Sequence, residues 1–411
     1  MSRASVRTVL PLAVVTATSM LATDLYLPAV PALQAALGTD ISGAQATVAI
    51  FFAGLAASQL AWGELLNRLG PKRCIVIGTS TLIISSIACA LVTALPLLLA
   101  LRLIQGFAAG AATVVLPAVV RATLNEADAV RGIAAISMVE ALVPAAGPVL
   151  GAALLVYTSW RGTFWVIAAV ALIMLPIVAK IVPRELPGID HSIPAGYRTV
   201  LANRRFLRIT LSHALTLGAL LMFVASAPQM LAKSYGLGSN AFALLQVMGV
   251  AGFILTATQS GRIAARVGIA KAVSIGGWTH VALCVVLSLI AIFGFASFTL
   301  LAVFWVAFCS TLAIRGPPAV SDALALPTAQ MGRASAILVL SLLLASALGT
   351  QLIAPLLERQ SILPMALAML AMTLASILLL TPYPAAPKRA DSAVNADHLA
   401  GAEEGTRDTC V

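Results

Sequence analysis

Charge is what this sequence has little of. Of 411 residues only 10% are Asp, Glu, Lys or Arg, whereas 60% are hydrophobic, and the mean hydropathy is +1.01. A soluble globular chain carries about 25% charged residues. The deficit excludes a soluble enzyme, a disordered chain and a nucleic-acid-binding domain, despite the basic balance of +10. Cysteine is sparse as well. Cys74, Cys89, Cys284, Cys309 and Cys410 include no CxxC pair, and four of them fall in or beside apolar runs. Neither a disulfide framework nor a metal site is expected. A cleavable leader is not expected either. Arg3 and Arg7 precede an apolar run, but no small-residue cleavage site follows and Asp24 interrupts where one would lie. The run reads as an uncleaved first helix.

What the sequence does have is long apolar runs. One bilayer span takes roughly 20 apolar residues. Twelve spans can be placed, near 7–30, 43–66, 74–94, 96–120, 132–156 and 161–182, then 207–231, 241–264, 272–294, 297–318, 333–357 and 363–382. Continuous runs favour helices over a barrel, whose segments alternate. The expectation is an all-α integral membrane protein of twelve transmembrane helices in two six-helix halves. The divisions expected are 1–182, a linker over 183–206, 207–382 and a tail over 383–411. Pro183, Pro187, Gly188, Pro194 and Gly196 mark the linker.

With the N-terminus placed inside, twenty of the 25 Lys and Arg fall in internal segments. Three fall in external loops (Arg161, Lys233, Arg359), and Arg102 and Arg315 lie within spans. This bias predicts that both termini are cytoplasmic. It also accounts for the net charge without a nucleic-acid partner.

The halves echo each other. Gly63, Arg68 and Gly70 end span 2 as G-x4-R-x-G, and Gly261, Arg266 and Gly268 end span 8 at an offset of 198. Pro28 and Pro228 are offset by 200, and Pro117 and Pro318 by 201. Parallel repeats of this kind place a transport site between the halves.

Leu21 to Pro31, Gly63 to Arg73, Arg102 to Gly106, and Gly147, Pro148 and Gly151 together resemble the motifs of the major facilitator superfamily, over essentially the whole chain. Within it the chain resembles the twelve-span drug:proton antiporter group, near the bicyclomycin/chloramphenicol-resistance (Bcr/CflA) branch. Leu21 to Pro31, with Asp24, Tyr26 and Pro28, is similar to that branch's span-1 signature. Gly63 to Arg73 resembles the superfamily's loop motif, Arg102 to Gly106 its span-4 motif, and Gly147, Pro148 and Gly151 the antiporter motif of span 5. Trp160-Arg161, Ser226 to Pro228 and Gly332 to Ala336 are further echoes. The chain departs from the patterns at Asn67 and Pro71 in the loop motif, at Val143 and Ala152 in the antiporter motif, and at Ala122.

The resemblance implies a proton-coupled exporter of small lipophilic, drug-like molecules, driven by the proton gradient without a cofactor. Its partners would be the small-molecule substrate, protons and the bilayer, with no nucleic acid, in a monomer in a bacterial inner membrane. No GxxxxGK[ST] loop points to ATP drive, and no metal-ligand spacing or nucleophile triad points to an enzyme. A dedicated metabolite exporter or importer of the same fold stays open, as, less well supported, does a channel.

Ionisable residues inside spans are costly and mark function. Asp24 is expected about six residues from the external end of span 1, with Arg102 at similar depth. Burial and a neighbouring cation act on a carboxylate in opposite senses, so Asp24 is expected to carry the coupling proton with Arg102 tuning it, or else the two form a structural ion pair tying spans 1 and 4. Glu140, about eight residues into span 5, is expected to pair with Arg315 across the inner gate, or to handle substrate charge or a second proton. Asp322, seven residues beyond Arg315, competes for it. Tyr26, Asp24, Phe223 and Arg315 are the expected substrate contacts. Phe51, Phe52, Phe253, Phe304 and Trp305 are further candidates that can equally face lipid. His213 and His280 are expected to be structural. Gly63, Asn67, Arg68 and Gly70 are expected to latch the inner side. Gly147, Pro148 and Gly151 are expected to form the contact between halves, with Pro148 bending span 5. Gly106 and Gly110 are a small-x3-small pair that permits close helix packing.

Overall fold

The computed structural model describes residues 3–186, 197–359 and 361–384. All regular structure among them is helical. The first span is α1 (Arg3–Asp24), a 3-10 turn (Leu27–Ala29) and α2 (Val30–Leu37). Spans two to six are α3 (Ile41–Leu69), α4 (Pro71–Leu91), α5 (Leu95–Thr123), α6 (Glu126–Tyr157) and α7 (Arg161–Ile181). A short α8 (Tyr197–Leu201) lies in the connection. The second half is α9 (Arg204–Tyr235), α10 (Ser239–Val267), α11 (Ile269–Ile292), α12 (Phe298–Ala323), α13 (Thr328–Ile353) and α14 (Leu363–Leu378). Eleven segments are long and apolar enough to cross a bilayer, and α14, with 16 residues, is a shorter apolar helix. Large apolar side chains such as Val156, Leu255 and Leu352 point outward from the bundle. Lipid can cover them; water would not. The expected Cys410 and most of the expected tail lie outside the described residues, as do Pro187, Gly188, Pro194 and Gly196.

The sharpest turns fall on the repeated glycines. Gly70 alone separates α3 from α4, and Gly268 alone separates α10 from α11. Their φ/ψ values are 76/163° and 87/150°, a region essentially confined to glycine. This is the physical content of the G-x4-R-x-G repeat. The other repeated prolines differ: Pro228 lies inside continuous α9, whereas Pro28 lies in the 3-10 turn that follows the break in span 1.

Three apolar cores show how the halves meet. One contains residues of both halves, from Ala22, Val48 and Phe164 to Phe223, Leu245 and Met369. It lies toward the end of the bundle that carries α2. The other two lie toward the end that carries the connection between halves. One is built from the first half alone, including Leu12, Trp62, Val115 and Val178. The other comes from α8 onward, including Val200, Phe206, Val273 and Leu380. The halves are therefore joined at the α2 end and have separate cores at the linker end. Contacts between halves run through α3 with α13 and α6 with α10, and at the α2 end through α2, the Leu27–Ala29 turn and a second 3-10 turn, Ala354–Arg359, after α13.

Candidate functional site

Span 1 breaks where its carboxylate sits. Asp24 is the last residue of α1, and the backbone then turns instead of continuing to Pro28 as expected. The span runs from Thr8 to Leu37, so Asp24 is near its middle, 13 residues from the α2 tip and deeper than the sequence suggested. Two prolines account for this. Pro28 and Pro31 lack amide protons, so carbonyls upstream of them cannot all be met in helical register.

The break frees one carbonyl that matters. Leu25 donates to Leu21 and Tyr26 donates to Thr23, which leaves the Ala22 carbonyl without the amide it would meet in a continuing helix. Arg102 of α5 fills that vacancy: its Nη1 donates to the Ala22 carbonyl at 3.1 Å and to Gln105 Oε1 at 2.6 Å. Its Nε donates to the Thr47 carbonyl at 3.1 Å. The guanidinium carbon lies 4.4 Å from the Tyr26 ring centroid and 4.3 Å from that of Phe51. Tyr26 in turn bonds Thr47 Oγ1 at 2.5 Å, and Gln105 donates to Ser86 at 2.7 Å. Arg102 and Tyr26 are both fully buried.

Two expectations change here. Arg102 is at the depth of Asp24 but does not ion-pair with it; backbone carbonyls and aromatic faces hold the cation instead. Tyr26 packs inside the first half against Phe164, with centroids 5.3 Å apart, and lines no open space in this state. The half-buried Asp24 carboxylate has no hydrogen-bond or ion-pair partner among the described residues.

Asp24 is packed from behind by α6. A Cβ added at Gly147 would come within 2.5 Å of the Asp24 Cβ, and one at Gly151 would strike the Leu25 carbonyl and Pro28. The antiporter-motif glycines thus seat α6 on the broken segment of span 1, inside the first half. The small face expected at the contact between halves is thus packed on span 1, and α6 also meets α10 of the other half. α6 is continuous through Pro144 and Pro148. The Gly106 and Gly110 pair similarly seats α5 on α3, at the Phe51 backbone and Ser58.

The second half holds its own buried cation. Arg315 of α12 donates to Thr216, to Ser212 Oγ at 2.6 Å and to Ser376 Oγ at 2.7 Å, joining α9, α12 and α14. It is fully buried and does not pair with Glu140, which is half-buried on α6 without a partner among the described residues. The expected pair across the gate is absent because three hydroxyls of its own half already hold Arg315. Neither does Asp322 compete for it. Asp322 binds Arg205 through a carboxylate oxygen and accepts from the Tyr383 hydroxyl at 2.8 Å. His280 Nε2 donates to the Phe308 carbonyl at 3.1 Å and its ring lies 4.3 Å from that of Phe308. His213 is buried beside Gly316. Phe223 stacks on Trp305 at 4.2 Å and is fully buried, so in this state it is core and not an open substrate wall.

The loop motif faces a cavity of about 880 Å³ at the linker end, lined by Asn67, Arg68, Gly70, Lys72, Arg73 and Arg184. Arg68 pairs with Glu64 of its own helix at 2.9 Å, not with the other half, and Gly70 packs on the Arg184 backbone. A Cβ on Gly63 would meet open space.

Residues 12–350 match the profile of the Major Facilitator Superfamily. The chain belongs to that superfamily. Its long apolar helices make it a multi-pass membrane protein. Multidrug resistance protein MdtL of Escherichia fergusonii is 28% identical over 239 residues, 58% of this chain. The Shigella flexneri protein of the same name is 27% identical over 227 residues, 55% of this chain. The matched region spans only 61% and 58% of those relatives' own length. Among solved structures, a D-xylose-proton symporter superposes with a TM-score of 0.71 at 14% identity, covering 92% of this chain and 98% of that one. A bacterial homolog of the human lysosomal transporter Spinster, in an inward-facing and occupied conformation, gives 0.67 at 14% identity, covering 91% and 95%. At that identity the likeness establishes the fold.

Proposed function

We propose that this major facilitator is a proton-coupled exporter of small drug-like molecules in a bacterial inner membrane, of the twelve-span drug:proton antiporter group near the Bcr/CflA branch. The observation that carries the reading is the Asp24 carboxylate, unpartnered at a helix break in the middle of span 1. Sealing an ionised carboxylate away from water without a partner costs several kcal/mol, on the order of the penalties for buried lone charges. The halves can close around Asp24 only when a proton or a bound solute compensates it. That condition couples proton movement to rocking of the halves, which is the requirement for exchange.

The basic bias supports placing the linker end in the cytoplasm. The state described is then sealed toward the outside and parted toward the inside, ready to take a solute from the cell. The relatives named for multidrug resistance support a drug as that solute, and the symporter among the fold neighbours supports a proton as the coupling ion. The test is accumulation of chloramphenicol in pump-deficient cells expressing the wild type or Asp24→Asn, with and without an uncoupler. Lower accumulation in the wild type, lost with either treatment, is the expected result. Equal accumulation in cells with and without well-expressed wild type contradicts drug export.

A further inference from the structure

Six polar side chains in the α2-end core have no role in the account so far. Gln45 of α3, Ser226 and Gln229 of α9, Gln246 of α10, and Ser346 and Thr350 of α13 are each no more than 3% exposed. Their chain neighbours Ala44, Ala225, Met230, Leu245 and Ala347 belong to the core that joins the halves. Yet both amide atoms of Gln45, Nε2 of Gln229, Oε1 of Gln246 and all three hydroxyls lack a partner among the described residues.

Thr210, at the linker end of α9, is another buried helical hydroxyl left unmet among the described residues. A helical Ser or Thr readily bonds the carbonyl four residues back. Thr16, Ser85, Ser288, Thr311, Ser341 and Thr373 all do so here. Ser226, Ser346 and Thr350 do not, so their hydroxyls are turned away from their own helices. A buried polar group left unmet costs about 1–3 kcal/mol. The four helices concerned include α3 and α13, which pack on each other across the halves, and α10, which packs on α6. A core that only had to seal would carry alanine or leucine at these six positions.

We infer that Gln45, Ser226, Gln229, Gln246, Ser346 and Thr350 form the wall of the solute path at the α2 end and recognise uncharged solutes bearing both hydrogen-bond donors and acceptors, such as amides and alcohols. An amide side chain offers both functions, and a hydroxyl offers both as well. None of the six is ionisable, so they supply no counter-charge for an ionic solute. When the halves part at this end, a solute that meets these groups gains contacts absent from the sealed core. That differential favours the opened arrangement. A lipophilic cation without such groups gains nothing from them. The inference rests on the export reading and specifies which solutes it selects.

The test uses cells expressing the full chain with its native cysteines replaced by alanine. Gln45→Cys, Gln229→Cys and Thr350→Cys are each exposed to a membrane-impermeant maleimide, with Leu287→Cys as a control in the same core. Labelling of the three at least about tenfold faster than the control, slowed about tenfold by saturating chloramphenicol but not by ethidium, is expected. Labelling no faster than the control, in variants that still export chloramphenicol, overturns the path. Labelling that chloramphenicol leaves unchanged overturns the recognition. Because labelling needs no transport, a wild type that exports neither probe contradicts the export reading separately. A second variant, Gln229→Leu, removes an unmet polar group and is expected to fold. It should raise the chloramphenicol KM about tenfold and leave ethidium export unchanged; unchanged KM for both overturns the assignment.

Discussion

Arg102 caps Ala22. The guanidinium takes the Ala22 carbonyl of α1, which the break at Asp24 releases, at 3.1 Å. The same side chain reaches Thr47 on α3 and Gln105 on its own helix, so one buried cation ties three helices at the level of the Asp24 carboxylate. Its role is to hold the break open as a defined turn, with Asp24 left free of a counter-ion.

Replacing Arg102 tests that role. Arg102→Ala leaves the Ala22 and Thr47 carbonyls and Gln105 unmet in a buried site, at about 1–3 kcal/mol each. Arg102→Lys keeps the charge but cannot serve the same carbonyls and lie flat between two aromatic faces. Thermal unfolding in detergent should show Arg102→Ala well below wild type and Arg102→Lys between them. A lysine variant as stable as wild type would show that charge alone suffices.

The motif glycines should separate into two classes. Gly147 and Gly151 abut Asp24 and Leu25, and Gly106 abuts the Phe51 backbone, so Gly→Val at any of them should abolish folded protein. Gly63 faces open space, so Gly63→Ala should stabilise α3 by about 1 kcal/mol through helix propensity. Size-exclusion profiles of the solubilised variants distinguish the classes.

At the linker end of the second half, Arg205, Asp322 and Tyr383 form a partly buried cluster joining α9, the end of α12 and the segment after α14. Arg208 adds bonds to the Leu379 and Pro382 carbonyls at 2.8 and 2.6 Å. Burial and the adjacent Asp322 carboxylate push the Tyr383 hydroxyl above its ordinary range, so it stays protonated and donating through neutral and moderately alkaline pH. A double-mutant cycle of Arg205→Gln and Asp322→Asn should return a coupling of about 1–3 kcal/mol. Additive losses would mean the pair contributes nothing beyond its separate contacts.

Glu140 and Arg315 should behave independently. Arg315 is committed to Ser212, Thr216 and Ser376, and Glu140 sits in the other half without a partner among the described residues. Export rates of Glu140→Gln, Arg315→Lys and the double variant should combine multiplicatively. Rescue of either single variant by the charge-swapped pair would restore the gate contact that this state lacks.

The spans were legible in the sequence because hydropathy is a property of each segment alone. Span boundaries near 43–66 or 363–382 needed no knowledge of neighbours. The glycine turns at Gly70 and Gly268 were legible for the same reason: their repeat is local. What decides the site is pairing between segments. The Ala22 carbonyl becomes available only once α1 breaks, and only then does Arg102 have a better partner than Asp24. Two further signals for the site are present in the sequence. Ser212 and Thr216 stand four apart on one helical face, a ready receptor for Arg315. Gln45, Gln229 and Gln246 are amides in otherwise apolar runs, costly to bury unless hydrogen-bonded.

The central claim is that Asp24 carries the coupling proton. The most direct measurement uses purified protein in proteoliposomes. Radiolabelled chloramphenicol is followed first in exchange without a pH gradient and then in accumulation driven by one, for wild type and Asp24→Asn. The account predicts that Asp24→Asn keeps exchange near the wild-type rate and loses gradient-driven accumulation. Gradient-driven accumulation by Asp24→Asn at the wild-type rate would contradict it.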